Sequence, residues 1–224
     1  LNYSKNIIVT NINLIGFAVN ADGVHFSGCE NALMQGCFVR SCDDLVVGYH
    51  YGYTNNITVK GCVFLNDDAH VFLFGLGETK GAKIENIFIL DCDVITQQEA
   101  PWHAGRFSGV FKYWAHGGNE IENIIADNVR IDYFRDKTKA CVFQLRTELR
   151  FDGEHPGKAI RNIVFRNIKV ENTDEVPSLI KGYSKDNAIE GVVFENYIRG
   201  GKKVCGLKEC NVVIEGYTER ILIR

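Results

Sequence analysis

Apolar and polar residues alternate with period two in short runs closed by Asn or Gly, and the pattern recurs along the whole chain. NIIVTNINL from Asn6, NALMQGCFV from Asn31, NITVKGCVF from Asn56, NIFILDCDV from Asn86, NIIADNVRI from Asn123 and NIVFRNIKV from Asn162 are copies of one degenerate string. GVVFENYIR from Gly191 and NVVIEGYTE from Asn211 are weaker copies. Period two predicts strands, because successive strand side chains face opposite ways. Each copy is followed by a second short apolar run such as VHF, LVV, HVFLF or CVFQL. The starts lie 25, 25, 30, 37, 39, 29 and 20 residues apart, so the middle repeats carry insertions. One unit cannot bury its own apolar face, whereas stacked units share a continuous core. The expected fold is all-β: a right-handed parallel β-helix, a solenoid of about eight coils, forming a single domain over residues 1–224. A propeller would need four antiparallel strands per ~40 residues, and a helical repeat would need 3.6-residue periodicity.

Composition supports strands and turns: 22 glycines stand against three prolines, with many Val, Ile and Phe. With 25 basic and 28 acidic residues well mixed and a net charge of −3, the chain has no electrostatic footprint for nucleic acid or an anionic membrane. No apolar run approaches the ~18 residues that cross a bilayer as a helix. LNYSKNIIVTNIN at the start has neither a signal-peptide pattern nor an initiator Met, and the expectation is a mature or truncated product.

The eight cysteines include no paired CxxC arrangement, which argues against a zinc finger. Cys37, Cys62 and Cys92 each fall six positions after a repeat Asn, where other copies carry Ile12, Val129 and Ile168. They are expected to form an interior column, since a buried thiol behaves as a small apolar group. Cys205 and Cys210 are close enough in sequence to be tested as a disulfide, although spacing alone decides nothing. The repeat Asn residues are expected to form a turn ladder, because Asn tolerates left-handed backbone.

In a parallel stack, equivalent positions of successive units lie about 4.8 Å apart. Aligning the second runs puts Asp22-Gly23-Val24-His25-Phe26 beneath Asp44-Leu45-Val46-Val47-Gly48, then Ala69-His70-Val71-Phe72-Leu73, then Ser108-Gly109-Val110-Phe111-Lys112. Asp22, Asp43 and Asp44 then share one patch, with His70 one rung beyond. Like charges that close raise one another's pKa values, so one carboxyl keeps a proton beside ionised neighbours. That is the requirement of glycosidic hydrolysis, in which carboxyls ~6.5–9.5 Å apart suit inversion and ~5–5.5 Å suits retention. Sugars stack on aromatic faces, which makes Tyr49, His50, Tyr51 and Tyr53, and in the long fourth coil Trp102, His103, Tyr113, Trp114 and His116, candidate cleft walls.

NADG at 20–23, CDD at 42–44 and AHVFLFG at 69–75 resemble the three motifs of β-helix glycoside hydrolases in the polygalacturonase and dextranase/isopullulanase clan. There the pattern runs N/Q-T-D-G, then G/N-D-D, then G-H-G in polygalacturonases. The resemblance spans residues 6–120 and implies an inverting hydrolase of an oligo- or polysaccharide. It makes Asp43 the general acid, gives Asp22 and Asp44 the attacking water, and has His70 tune the acid or bind sugar. The R-I-K strand that holds a uronate carboxylate in polygalacturonases would fall at Phe111-Lys112-Tyr113, where only Lys112 is basic. Arg106, Arg146 or Arg150 is available as a replacement cation, so neutral sugars and uronates both stay open. Substrate contacts are expected from Tyr49, Tyr51, Trp102, Lys112, Tyr113, Trp114 and Arg146.

The family carries more coils before its first motif, plus a cap. Here the first repeat begins 16 residues before Asp22, so the expectation is a fragment, or an open end covered by another segment or by self-association. The partner is a carbohydrate, no metal or cofactor is implied, and a polymer substrate implies a secreted or periplasmic location. Two rivals share the fold: a calcium-dependent polysaccharide lyase, which needs a Lys or Arg beside the aspartates, and a non-catalytic carbohydrate-binding β-helix.

Overall fold

The computed structural model describes residues 1–49, 51–76, 81–98, 108–135, 140–149 and 155–224. The protein is all-β, with no helix among the described residues. The first repeat gives β1 (Lys5–Thr10), β2 (Asn13–Ile15) and β3 (Val24–His25). The second gives β4 (Glu30–Gln35), β5 (Phe38–Ser41) and β6 (Val46–Gly48), and the third β7 (Thr54–Lys60), β8 (Val63–Asn66) and β9 (Phe72–Gly75). Then come β10 (Lys83–Gln97), β11 (Gly109–Ala115), β12 (Glu120–Phe134), β13 (Cys141–Thr147), β14 (Ala159–Val170) and β15 (Ser178–Gly182). The chain ends with β16 (Ile189–Glu195), β17 (Ile198–Arg199), β18 (Lys202–Lys203), β19 (Val212–Gly216) and β20 (Thr218–Ile223).

These strands make two sheets. The first runs β1-β4-β7-β10-β12-β14-β16-β20, with β2, β5, β8 and the β17–β18 pair off that path. The second runs β3-β6-β9-β11-β13-β15-β19. Among the described residues, strands of successive repeats pair in parallel, and β17–β18 is the antiparallel strand pair. Each repeat thus lays its first run on the first sheet and its second run on the other. The inward residues of both sheets fill a common core, in which Phe72 stacks on Phe111 and Phe111 on Phe143.

Asn supplies the bends. Asn6, Asn31, Asn56, Asn86, Asn123 and Asn162 all have φ of 56–58°, the left-handed region that Asn accepts at low cost. Their side chains bond from rung to rung: Asn31 to Asn6 at 3.3 Å, Asn56 to Asn31 at 2.9 Å, Asn123 to Asn86 at 3.4 Å and Asn162 to Asn123 at 3.1 Å. Asn86 bonds instead to Asn55, at 2.8 Å. The cysteine column is also present, with Cys37, Cys62 and Cys92 buried and Cys92 paired beside Val129.

Three sequence expectations need correction. The string from Asn211 is not a copy on the first sheet: Val212–Gly216 joins the second sheet, and Thr218–Ile223 takes the eighth place, with Arg220 at the left-handed position. The register of the third repeat is shifted by one. Five positions separate Ser41 from Val46, but six separate their partners Asn66 and Phe72, and the extra residue is absorbed where Ala69 turns at φ 64°. His70, not Ala69, therefore lies alongside Asp44. Tyr113 is no cleft wall: it is fully buried and stacks on Phe165 inside the core, because it shares the inward parity of Phe111. The pairing of Cys205 with Cys210, which spacing left open, is not made: both thiols are free, Cys205 exposed and Cys210 buried.

Candidate active site

Gly23 explains how two neighbouring repeats bring their aspartates together. Its N–H bonds the Asp44 carbonyl at 2.8 Å, and a Cβ at this position would sit 2.1 Å from the Leu45 carbonyl oxygen. Only glycine permits this close approach, so the Gly of NADG fixes the turn that carries Asp22. Val24 pairs with Val46 and His25 with Val47, which puts Asp22 and Asp44 in the same register on adjacent strands. One carboxylate oxygen from each of Asp22, Asp43 and Asp44 lies within 4.8 Å of the others. That spacing is also compact enough to surround a cation.

The three carboxyls differ in environment. Asp44 is only 5% exposed. Its Oδ1 accepts the His70 N–H at 3.1 Å, and its Oδ2 accepts the Tyr49 hydroxyl at 3.4 Å. Burial pushes its pKa well above the usual carboxylate range, and the charges of Asp43 and Asp22 push it further; the His70 N–H and the Lys112 charge oppose them. Asp43 is more exposed, and its Oδ1 accepts the Asp44 N–H at 3.0 Å. Behind this corner, Asn66 donates to the Asp43 carbonyl at 2.9 Å, and Gln97 donates to Asn66 Oδ1 at 2.9 Å. A buried polar network thus holds the turn that presents the pair. Asp22 meets His25, with Oδ2 and Nε2 2.6 Å apart.

His70 reaches the site through its backbone, while its Nδ1 accepts the Gly109 N–H at 3.4 Å on β11. Tyr49, which bonds Asp44, meets Tyr51 edge to face at 5.6 Å. Lys112, Trp114 and Arg146 lie further along the second sheet, on the side opposite its apolar core. Lys112 is 3% exposed, bonds Gln144, and has its Nζ 4.5 Å from the centre of the Trp114 ring. Burial, followed by the Arg146 charge, pulls its pKa down to about 7. Arg146 pairs with Glu148 at 2.7 Å, and Trp114 meets His116 edge-on at 6.0 Å. Tyr53 is turned away, its hydroxyl bonded to Glu85 on the first sheet. Trp102, His50, His103, Arg106 and Arg150 lie outside the described residues.

Sequence reasoning missed His25. In the sequence it is one letter of the apolar run VHF, but Val24 and Phe26 on either side are the inward residues. Parity alone turns His25 outward, to the face of Asp22 and Tyr49. No protein-family model and no curated protein matches the chain. Function therefore has to be read from the chemistry of this cluster.

Proposed function

We propose that the chain is a glycoside hydrolase that cleaves a poly- or oligosaccharide with inversion, on a right-handed parallel β-helix of about eight coils. Both sheets advance in repeat order with parallel pairing, as expected when each repeat makes one turn of a common winding, and parallel crossovers are right-handed in almost all proteins. The observation that carries the reading is the convergence of Asp22, Asp43 and Asp44, with the buried member driven towards its protonated form. Three carboxyls that cannot all ionise hold a proton beside bases, which is what bond cleavage at an acetal needs.

In this mechanism Asp43, more accessible than Asp44, passes the proton that the cluster holds on Asp44 to the leaving glycosidic oxygen, which frees Asp44 to act as a base. Asp22 and Asp44 orient and deprotonate water. Oxygens within 4.8 Å of one another can share one water held at about 2.8 Å from each. Tyr49, Tyr51 and Trp114 offer rings for sugar faces and Arg146 offers donors, whereas Lys112, expected as a substrate contact, is too buried to meet a sugar directly. A secreted or periplasmic location follows from such a substrate.

Carboxyls whose oxygens come within 4.8 Å of one another are open to retention as well as inversion, so the anomer formed first is the informative product. Proton NMR of the fresh product is expected to give the inverted anomer. The retained anomer would make Asp22 or Asp44 a nucleophile and remove the shared water. One observation serves a second reading: Lys112, with a pKa near 7 and felt by Asp44, is a base of the kind a polysaccharide lyase uses. An unsaturated product that absorbs in the ultraviolet and disappears with EDTA would establish that lyase instead.

A further inference from the structure

We propose that His25 is a positioning residue of this site, acting through Asp22, and that the His25 and Tyr49 rings form one brace across the two carboxyls that hold the water. The inference rests on the hydrolase reading, and it concerns a residue for which that reading has no use. His25 Nε2 lies 2.6 Å from Asp22 Oδ2. With Asp22 as a carboxylate, the oxygen only accepts, so Nε2 carries the proton. One carboxylate oxygen is thereby tied down, and Oδ1 is left for the water.

The imidazole also meets the Tyr49 ring edge to face, with centroids 5.1 Å apart and planes at 82°. Tyr49 is fixed from both ends, by its hydroxyl on Asp44 Oδ2 at 3.4 Å and by its N–H on Ser27 Oγ at 3.0 Å. Asp22, His25, Tyr49 and Asp44 thus form a continuous chain of contacts between carboxyls on two adjacent rungs. The brace stands on rigid backbone, since Val24 and Phe26 are anchored in the core on either side of His25 and Val47 pairs beside it. A local Asp-His hydrogen bond could serve stability alone. Here the imidazole is bonded to one member of the carboxylate cluster and packed on the ring that bonds another, so its loss would alter their separation.

Two substitutions separate the hydrogen bond from the packing. His25→Phe keeps a ring against Tyr49 and removes the Nε2–H donor; His25→Gln removes the ring and keeps an N–H donor at a similar reach. A displacement of about 1 Å can cost roughly 100-fold in rate. The expected result is a loss in His25→Phe approaching 100-fold in kcat, with KM little changed, and recovery of at least about tenfold of that loss in His25→Gln. In parallel, the His25 Nε2–H signal in nitrogen-15 NMR of the folded protein should move on Asp22→Ala. Wild-type kcat in His25→Phe, or equal damage in both variants, overturns the positioning role while leaving the hydrolase reading intact. A wild type that cleaves no glycan refutes the hydrolase reading and the catalytic purpose of His25 with it. An Nε2–H signal unmoved by Asp22→Ala refutes the contact itself, whether or not the protein turns over.

Discussion

Asp44 pays for its position in the fold. A carboxyl whose folded pKa is raised binds its proton more tightly folded than unfolded, so its ionisation opposes folding. The contribution is most favourable below the unfolded carboxylate pKa and declines as pH rises towards the raised folded value. Asp44→Asn, which carries no charge to bury, is therefore expected to raise the melting temperature at pH 8 and to do so much less at pH 4. An equal shift at both pH values would contradict the assignment. Gly23 provides a second test, because a methyl there meets the Leu45 carbonyl. Gly23→Ala should cost about 1–3 kcal/mol in denaturant unfolding, the usual range for overpacking. The motif aspartates were legible in the sequence because a parallel stack turns repeat register into distance. His25 was not, since recognising it required the inward parity of its neighbours, and Tyr113 was misread for the same reason. The pKa shift of Lys112 was invisible because burial of its side chain depends on the packing around it.

At the level of the elements, the strands are held in register by their bends as much as by their apolar faces. Asn123 has φ 57°, accepts from Asn162 and donates to Asn86. Replacing it with Ala removes both hydrogen bonds and forces a Cβ-bearing residue without a compensating side chain into left-handed backbone. The expected cost is about 2 kcal/mol, whereas Asn123→Gly, which is at ease at that φ, should cost about half as much. Chemical denaturation of the two variants checks the order, and equal losses would mean that the backbone conformation contributes nothing. The Asn ladder could be read from the sequence because the repeat places one Asn per copy. The end of the chain could not: Asn211 starts a similar string, yet its strand serves the second sheet and Arg220 takes the left-handed bend. What distinguishes the two is the segment between β16 and β19, which places Val204 and Cys210 in the core and so uses up the residues of a normal repeat. The buried Glu175 fastens that segment, with Oε1 2.5 Å from Arg199 Nε and 3.3 Å from Asn211 Nδ2. Arg199→Ala leaves this carboxylate buried with a single weak donor. It should destabilise the protein by about 3 kcal/mol, the lower end for breaking a buried pair because Arg199 is itself part-exposed.

For the molecule as a whole, parallel stacking brings residues 21 or 22 positions apart in sequence into one acidic cluster, and the later repeats extend the same face with Lys112, Trp114 and Arg146. Under the proposed function a polymer lies along this face, with Asp22, Asp43 and Asp44 towards one end. Much of the architecture was legible, because strand period and repeat spacing are local properties of the chain. The substrate was not, because its selection depends on side chains that several repeats bring together. The most direct test of the central claim is a product screen by chromatography on dextran, pullulan, other α-glucans, polygalacturonate and rhamnogalacturonan, with and without EDTA and beside folded Asp43→Asn. The account predicts saturated reducing ends from at least one polymer that persist in EDTA and vanish in the variant. Undiminished cleavage by Asp43→Asn, or folded wild-type protein that binds glycan and cleaves none, would contradict it.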